Sequence, residues 1–338
     1  MELQTSIVLF IVSTIIIGIA GTMLAKEADR LADITGLGEA LFGAVFLGGI
    51  TSLPGIITSV VAAYNGHPQL AISNAIGGIA AQTLFLSIAD ISYRKINLEH
   101  AAASFANLMQ GVLLLGLLAL ILLGISGPDT TFFHIHPISF LLILFYILGT
   151  KMISKAKDYP MWLPRMTRQT VEDVPDKENI QPRYPYLIYI KFIVLAAIVT
   201  VAGYFVARTG MVISDKTNLS EGFVGMLLTA IATSLPELVV SIAAVRQKAL
   251  TLAVGNIIGG NSFDILFVAF ADIAYNDGSI LHAVSQNQIF IISLTMLLTA
   301  TLILGLLHRE KQGIGKIGWE SLLIIVFYLA GNLWLFFA

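Results

Sequence analysis

Residues 229–272 read TAIATSLPELVVSIAAVRQKALTLAVGNIIGGNSFDILFVAFAD. The stretch is apolar enough to lie in a membrane, yet it contains Pro236 and two acidic residues, Glu237 and Asp264, with no basic residue beside either. A charged side chain at the centre of a bilayer costs about 3 kcal/mol on insertion scales, so such residues usually face a cavity and bind something. The stretch therefore indicates a polar site inside a membrane protein.

A second stretch repeats this pattern earlier in the chain. Residues 47–90 read LGGITSLPGIITSVVAAYNGHPQLAISNAIGGIAAQTLFLSIAD, so that TSLP at 51–54 recurs at 233–236, an offset of 182 residues. Four further positions match at this offset: Asn74 with Asn256, Gly77 with Gly259, Gly78 with Gly260, and Asp90 with Asp272. Because the matching positions are polar residues, proline and glycine rather than interchangeable aliphatic residues, we interpret them as an internal repeat.

The two copies differ in charge. Gly55 stands opposite Glu237, and Gln82 stands opposite Asp264. The second copy therefore carries both acidic residues of the repeated segment.

The composition restricts the class of protein. Of the 338 residues, 57% are hydrophobic and 12% are charged, whereas a soluble domain has about 25% charged residues. Repeated apolar runs of about 20 residues predict a polytopic protein embedded in the lipid bilayer. The net charge of -2 argues against a nucleic-acid partner, and the absence of cysteine excludes disulfides and thiolate metal sites.

Hydropathy predicts ten membrane spans. Their approximate bounds are 6–25, 36–64, 69–92, 100–124, 135–153, 186–207, 219–245, 249–275, 284–307 and 316–337. If the N-terminus lies outside, most Lys and Arg residues fall in inner loops, while the outer loops keep only Arg208 and Lys216. This asymmetry predicts a multi-pass protein of the plasma or inner membrane with both termini outside. His134 and His136 fall in an outer loop, and we interpret them as solvated, with an extracellular metal site as the alternative.

The longest polar segment, residues 154–185, contains five prolines and mixed charge. We interpret it as a cytoplasmic linker between a first half, residues 1–153, and a second half, residues 186–338. Because each half has five spans, an odd number, the second half enters the membrane from the opposite side. The predicted fold is thus an all-α polytopic membrane protein of ten transmembrane helices arranged as two inverted five-helix repeats, an architecture typical of transporters.

Pro236 predicts a broken helix inside the membrane, because proline lacks an N–H and clashes with the carbonyl one turn back. We expect free carbonyls around residues 230–234, beside the hydroxyls of Thr233 and Ser234 and the carboxylate of Glu237. Such oxygen donors suit Na⁺ or Ca²⁺ rather than a soft metal. The alternative is a capped proline kink with no ligand.

The next span places Asn256, Gly260 and Asp264 on one helical face, with Asn261 one step round. The alternative here is a packing seam of small residues. If Asp264 meets Glu237, two carboxylates without a basic partner bind a cation or a proton, and competition between such ligands is the basis of an antiporter.

The motif TSLPE, followed by GNxxGxN and an aspartate, resembles the second repeat of the sodium/calcium exchangers, within the cation/calcium antiporter superfamily. The resemblance implies ten helices around a central site and exchange of Ca²⁺ for Na⁺, with proton-coupled relatives. Transported Ca²⁺, Na⁺ or H⁺ would then be the only ions required, with no resident cofactor. The candidate ligands are Thr51, Ser52, Gln82, Thr233, Ser234, Glu237, Asn261 and Asp264.

The sequence departs from the family pattern at three glycines. Gly55 replaces the glutamate of the first repeat, and Gly78 and Gly260 replace a serine that is a sodium ligand in each repeat. These changes leave fewer oxygen ligands for several Na⁺ ions. Two alternatives therefore stay open, a cation-binding sensor that does not transport and an antiporter for monovalent cations or protons. An intramembrane enzyme is disfavoured, because no HExxH or comparable pattern is present, and protein partners are left open.

Overall fold

The computed structural model describes residues 1–35, 49–93, 97–158, 162–165, 185–247, 249–310 and 317–337. Within these ranges the chain is helical apart from turns and one isolated bridge between Phe132 and Ile135. The predicted all-α class is confirmed for this part of the chain.

The helices fall into two series along the chain. The first series is α1 (Leu3–Ile16), a π-helical turn (Ile17–Gly21), α2 (Thr22–Thr35), α3 (Leu53–Tyr64), α4 (Pro68–Tyr93), α5 (Leu98–Ala102), α6 (Phe105–Ser126) and α7 (Pro137–Asp158). The second series is α8 (Pro185–Lys216), α9 (Glu221–Phe223), a π-helical segment (Val224–Thr229), α10 (Ala230–Thr233), α11 (Leu235–Arg246), α12 (Leu250–Asp264), α13 (Leu266–Ala274), a 3₁₀ turn (Ile280–His282), α14 (Gln286–His308) and α15 (Trp319–Phe337).

Eight of these helical segments are long and apolar enough to cross a membrane, and a bent pair, Glu221–Thr233 with Leu235–Arg246, makes a ninth. The protein is therefore a multi-pass integral membrane protein. The predicted second span lies partly outside the described residues, at 36–48, and its remaining part includes α3. The predicted linker also lies largely outside them, although α7 extends to Asp158, past the expected boundary at residue 153.

The helices that carry the repeated motifs lie at the centre of the fold. The membrane window of Pro68–Ile91 is 89% buried and that of Leu250–Ala274 is 72% buried, against 28% for Leu3–Ala28 and for Tyr186–Lys216. Helices α4, α12 and α13 are thus surrounded by protein, whereas α1 and α8 present much of their surface to the surroundings.

The first helix of each series packs closely on the broken helix of the other. A Cβ on Gly21 would overlap the ring of Pro236, and a Cβ on Gly203 would lie 3.0 Å from the carbonyl oxygen of Pro54. Gly21 and Gly203 are 182 positions apart, as are Pro54 and Pro236. Glycine at both points lets the crossing helices approach, so the two halves make equivalent contacts.

The ends of α4 and α13 show the same equivalence through two buried aspartates. Asp90 accepts hydrogen bonds from the backbone N–H of Leu98, at 2.7 Å, and of Gly318, at 3.1 Å. Asp272 makes the two bonds expected at the offset of 182. Its donors are the N–H groups of Ile280, at 2.8 Å, and of His136, at 2.7 Å. The repeat is therefore present in the hydrogen bonding as well as in the sequence.

The outer-loop histidines have different environments. His134 is exposed and lies in a turn with φ of 65°. His136 is only 4% exposed, and its Nδ1 accepts a hydrogen bond from the N–H of Ile138 at 3.1 Å. The prediction of a solvated residue is wrong for His136, because its backbone N–H is needed by Asp272.

Candidate cation site

The helix breaks at Ser234, between α10 and α11, where the backbone has φ of -98° and ψ of 7°. The pair of helices bends there by 51°, which confirms the break predicted from Pro236. Three of the carbonyls that were expected to be free accept backbone hydrogen bonds. The N–H of Ser234 binds the carbonyls of Ala230 and Ile231, and the Ser234 carbonyl accepts from Leu238. The local chain closes most of its own hydrogen bonds, so the side chains are the main oxygen donors.

The first half contains the same break at Ser52, where φ is -89° and ψ is 7°. A proline follows within the first turn of both α3 and α11. The carbonyl of Ser52 accepts from the N–H of Ile56 at 3.0 Å, as that of Ser234 accepts from Leu238 at 3.3 Å. The TSLP sequence thus produces one backbone conformation twice.

A small cavity, with room for about one water molecule, lies where the two broken helices meet α4, α12 and α13. Six of the predicted ligand residues and four other residues line it. They are Ser52, Gly55, Asn74, Gly78, Gln82, Thr233, Ser234, Glu237, Asp264 and Phe267. The lining contains two carboxyl groups and no Lys or Arg, so a cation in the cavity would meet net negative charge.

Asp264 and Gln82 form a buried pair across the two halves. The Gln82 Nε2 donates to Asp264 Oδ2 at 2.6 Å and to Ser234 Oγ at 3.4 Å, and the side chain of Ser52 also hydrogen-bonds Asp264. Asp264 Oδ1 and Gln82 Oε1 are buried and have no partner among the described residues. Both oxygens are therefore available to a ligand.

Glu237 supplies the second carboxyl group from the first turn of α11. A helix N-terminus favours negative charge, because the backbone dipoles point their positive end towards it. The Oε2 atom of Glu237 is buried without a hydrogen-bond partner in the described part of the chain. Such an orphaned oxygen is costly unless something binds it, which indicates a cation or proton at this point.

Gly55 occupies the equivalent position in the first half, but the space beside it is filled. A Cβ on Gly55 would lie 2.7 Å from Cε2 of Phe267. No side chain fits there unless the aromatic ring moves. The missing carboxylate of the first repeat is thus replaced by an aromatic wall that comes from the second half.

The glycines in place of serine have more space. A Cβ on Gly78 would lie 3.5 Å from Ser234 Oγ, and a Cβ on Gly260 would lie 3.7 Å from Gln82 Oε1. Both distances are ordinary van der Waals contacts. A hydroxyl is therefore missing at these positions for lack of a side chain and not for lack of room.

Two predicted ligands lie outside the lining. Thr51 immediately precedes the first break, and Asn261 donates to Thr83 Oγ1 at 3.2 Å while its own Oδ1 is buried without a described partner.

Two residues that line the cavity, Asn74 and Phe267, were not predicted from the sequence. Asn74 donates to Ser59 Oγ at 2.9 Å and to the Gly55 carbonyl at 3.3 Å. Its match with Asn256 was the available signal.

Phe267 could have been found from its spacing, because residues three apart share a helical face and Asp264 was already a candidate. The α-helical hydrogen-bonding pattern is interrupted just there. Helix α12 ends at Asp264, Ile265 is a turn residue, and α13 begins at Leu266. The predicted continuous span is interrupted at the residue that carries the charge.

The family model for the sodium/calcium exchanger protein matches residues 5–152 and 187–337. The chain belongs to the sodium/calcium exchanger family. The two matched segments correspond to the two helical series, and they leave out the segment interpreted as a linker. The resemblance inferred from the TSLPE and GNxxGxN motifs is confirmed.

Relatives in this family cover almost the whole chain. An uncharacterized membrane protein of Methanocaldococcus jannaschii is 28% identical over 322 residues, which is 95% of this chain and 94% of that protein. The solved structure of an H⁺/Ca²⁺ exchanger, CAX, superposes with a TM-score of 0.68 at 14% identity, covering 98% of this chain and 86% of its own. The sodium-calcium exchanger NCX_Mj superposes with a TM-score of 0.61 at 19% identity, covering 97% and 98%. At these identities the solved structures show a shared fold.

Proposed function

We propose that this protein is a secondary-active cation antiporter that exchanges Ca²⁺ for Na⁺ or H⁺ through the central cavity. One observation carries the proposal. Glu237 and Asp264 line the same cavity, each has a buried oxygen without a partner among the described residues, and the described lining contains no Lys or Arg. Two carboxylates neutralise one divalent cation, and hydroxyl or amide oxygens complete the ligands that Ca²⁺ prefers.

We also propose that the membrane domain has ten transmembrane helices in two inverted repeats, residues 1–153 and 186–338, joined by the cytoplasmic linker 154–185. Support comes from the equivalent contacts of the two halves, because Asp90 and Asp272 bind partners at the same offset of 182. Both termini then lie outside, since the basic loops lie inside. Rocking of one half against the other around the cavity exposes the site to each side in turn.

The proposed ligands have different roles. Glu237 and Asp264 provide charge, while Ser52, Ser234 and Thr233 provide hydroxyl oxygens. The Gln82 Nε2 donates a hydrogen bond to Asp264. The Gln82 Oε1, which has no partner among the described residues, is a further ligand. Thr51 and Asn261, which lie beside the lining, join the ligand set when the helices move.

The counter-ion is set by how few oxygens the site has. Gly78 and Gly260 supply no hydroxyl, so the cavity offers few places for Na⁺ in addition to Ca²⁺. Protons need only the two carboxylates, because a proton and a divalent cation compete for the same oxygens. H⁺ is therefore a sufficient counter-ion for this cavity, and Na⁺ is the alternative that the experiment must compare.

The test uses purified protein reconstituted in vesicles loaded with Ca²⁺, with a Na⁺ gradient and an H⁺ gradient imposed in turn. We expect Ca²⁺ movement that follows at least one gradient and disappears in Glu237→Gln. Glu2→Gln is the matched control, since Glu2 is exposed ahead of α1 and its side chain caps no N–H of that helix. Ca²⁺ movement that ignores both gradients, or an unaffected rate in Glu237→Gln, would contradict the proposal.

A second candidate function is a cation-binding sensor without transport. The observation in its favour is the ring of Phe267, which fills the place of the first-half carboxylate and would hold the two halves in one arrangement. This function predicts that Ca²⁺ raises the thermal stability of the protein while vesicles show no flux. Stabilisation together with coupled flux rejects it.

A further inference from the structure

A second group of buried carboxyl groups lies away from the central cavity, at the end of α4. Asp90 is 1% exposed, and Glu99 on α5 and Glu320 on α15 are both fully buried. The central cavity lining includes none of the three. This group, named here the inner carboxyl cluster, lies on the side of the membrane assigned to the basic loops.

Hydrogen bonds satisfy only part of the inner carboxyl cluster. Ser321 Oγ donates to Glu99 Oε1 at 3.3 Å, and Asn97 Nδ2 donates to Glu320 Oε1. The second oxygens, Oε2 of Glu99 and Oε2 of Glu320, are buried without a hydrogen-bond partner in the part of the chain that the structure describes. A fully buried ionised carboxylate with an orphaned oxygen is far more costly than a neutral one.

The surrounding chain makes room for the carboxyl group of Glu320. A Cβ on Gly305 would lie 2.5 Å from Glu320 Cγ, and a Cβ on Gly318 would overlap Glu320 Oε1. The residues at the offset of 182 beside Asp272 are Leu281 for Glu99 and Ile138 for Glu320. A Cβ on Gly124 would lie 2.5 Å from Leu281 and 3.3 Å from Ile138, so a glycine makes room at that end as well. The two carboxyl groups, and not the glycine, distinguish the end that contains Asp90.

The Ser321 hydroxyl links two members of the cluster. It hydrogen-bonds Asp90 as well as Glu99. A hydroxyl has only one proton to donate. When it donates to Glu99 it can only accept from Asp90, and when it donates to Asp90 it can only accept from Glu99, so either arrangement requires a proton on one of the two carboxyl groups.

The charges around the cluster do not neutralise it within the described residues. Asp90 and Glu310 add negative charge beside Glu320. The Arg309 guanidinium donates to the carbonyls of His100 and Arg165, and His100 Nδ1 contacts the Arg309 carbonyl at 2.6 Å. Four basic residues of the adjoining loops lie outside the described ranges, and they are Arg94, Lys95, Lys311 and Lys316.

Glu99 lies outside the spanning helices, in the short helix α5. Burial, and then the neighbouring carboxylates of Asp90 and Glu320, raise the pKa of Glu99 well above its usual range. Desolvation and like charge act in the same direction and favour a proton on Glu99.

We propose that Glu99 and Glu320 form a proton-binding pair, separate from the central cavity, that keeps α5 joined to the start of α15 through the Ser321–Glu99 hydrogen bond while it holds a proton. Loss of the proton leaves two negative charges in a buried space and separates the two helices. The pair would thus make the inner side of the protein respond to proton concentration. It does so whether or not the central cavity transports ions.

The test is infrared difference spectroscopy of the purified full-length protein, which detects the carbonyl stretch of a protonated carboxylic acid. An E237Q/D264N background removes the contribution of the central carboxyl groups. We expect an acid band that titrates at a pH above the ordinary carboxyl range and that disappears in E99Q/E320Q. In each single variant, E99Q or E320Q, the remaining carboxyl group should ionise at a proton concentration at least about tenfold higher, because its like-charged neighbour is gone.

Three results would overturn the proposal. One is the absence of an acid band in that pH range. Another is a band that survives E99Q/E320Q and is lost in D90N, which places the proton on Asp90. The third is the presence of two acid bands, of which E99Q removes one and E320Q removes the other without shifting the band that remains. That result would mean that Glu99 and Glu320 are independent acids that share no proton. Should E99Q fail to fold, S321A keeps both carboxyl groups and is expected to shift the band, because it removes the hydroxyl that links Glu99 to Asp90.

Discussion

The two broken helices have almost the same backbone conformation, but only the second has a charged residue after its proline. Ser52 and Ser234 adopt the same conformation, within 9° in φ and with the same ψ of 7°. Yet the residue after each proline is Gly55 in the first half and Glu237 in the second. The shape of the site is therefore symmetric while its charge is not, because proline and the serine turn determine the backbone and neither depends on the residue that follows.

The ends of α4 and α13 show the reverse asymmetry. Asp90 and Asp272 have equivalent backbone partners, but extra carboxyl groups surround only Asp90. Charge lies in the second half at the central cavity and around the first-half aspartate at the end of α4. The internal repeat thus keeps its packing contacts in both copies, while its charged residues differ.

The largest expected effect comes from removing the Asp264 carboxylate and then restoring a carboxylate at Gln82 in the other half of the site. Gln82 and Asp264 are related by the repeat and bonded to each other at 2.6 Å. Asp264→Gln should weaken Ca²⁺ binding at least about 100-fold, equivalent to about 3 kcal/mol, because it removes one of two charges. The double variant Q82D/D264Q restores a carboxylate and a carboxamide with exchanged positions, and it should recover most of the affinity. Calcium binding is measured by isothermal titration calorimetry.

The outcome decides what the asymmetry means. Recovery of the Ca²⁺ affinity shows that the number of carboxylates matters and that it does not matter which of the two positions, 82 or 264, holds the carboxylate. If Q82D/D264Q binds as weakly as Asp264→Gln, the second half is required for a geometric reason, and the symmetric view of the site fails. Gln82→Asn is a useful control, since it shortens the donor without adding charge.

The next effect concerns the aromatic wall. Gly55→Ala should destabilise the protein by about 2 kcal/mol, because added volume in a packed core forces side chains to shift and the new Cβ lies 2.7 Å from the Phe267 ring. In a Phe267→Leu background the same change should cost less than half as much. Reversible unfolding of the four proteins gives the coupling energy. Additive costs would mean that Phe267 is not what excludes a side chain at Gly55.

The sequence was sufficient for the all-α membrane class and for the two carboxyl groups that line the cavity. Pro236 and the costly acidic residues are local signals that do not depend on tertiary contacts, so the break and both carboxyl groups were predictable. The contact between Gly55 and Phe267 was not, because it joins residues on separate helices and an aromatic residue in an apolar helix carries no distinctive pattern. Asn74 is a different case, because it is polar within an apolar helix and its match with Asn256 was a signal in the sequence.

The free carbonyls near Ala230 show a different limit. A proline removes one hydrogen-bond donor, but the sequence does not reveal whether neighbouring N–H groups take up the released carbonyls. Here Ser234 does so for two of them. The inner carboxyl cluster was also missed, because Glu99 and Glu320 are far apart in the chain and each lies next to the end of a span, where an acidic residue is ordinarily solvated.

A smaller effect is expected at the start of α4, where the two halves differ by one His–Glu pair. His67 Nδ1 lies 2.8 Å from Glu221 Oε1, and Glu221 Oε2 accepts from the N–H of Leu70 at 3.0 Å. The hydrogen bond to Glu221 raises the pKa of His67 above its usual 6.5. The repeat equivalent of His67 is Ala249, so the second half has no such pair.

Because the folded protein binds this proton more tightly than the unfolded chain, the stabilisation is complete below pH 6.5 and is lost as the pH rises through the folded pKa of His67. The pair is partly exposed, so screening limits its contribution to about 0.5 kcal/mol. His67→Gln should remove this step from the pH dependence of the melting temperature. A step of unchanged size in His67→Gln would assign it to another group.

The smallest expected effect on stability comes from restoring a hydroxyl at Gly78. Because a Cβ at this position would lie 3.5 Å from Ser234 Oγ, Gly78→Ser fits without moving its neighbours and should change stability by less than about 0.5 kcal/mol. Its consequence lies in ion selectivity, because it adds an oxygen to the half of the site that has no carboxylate. We expect Na⁺ to raise the melting temperature of Gly78→Ser more than that of the parent, while Gly78→Ala, which adds volume and no oxygen, behaves as the parent does. Equal responses of all three proteins would mean that the missing hydroxyl does not determine how the cavity treats Na⁺, and that the charge difference between the halves is the more important asymmetry.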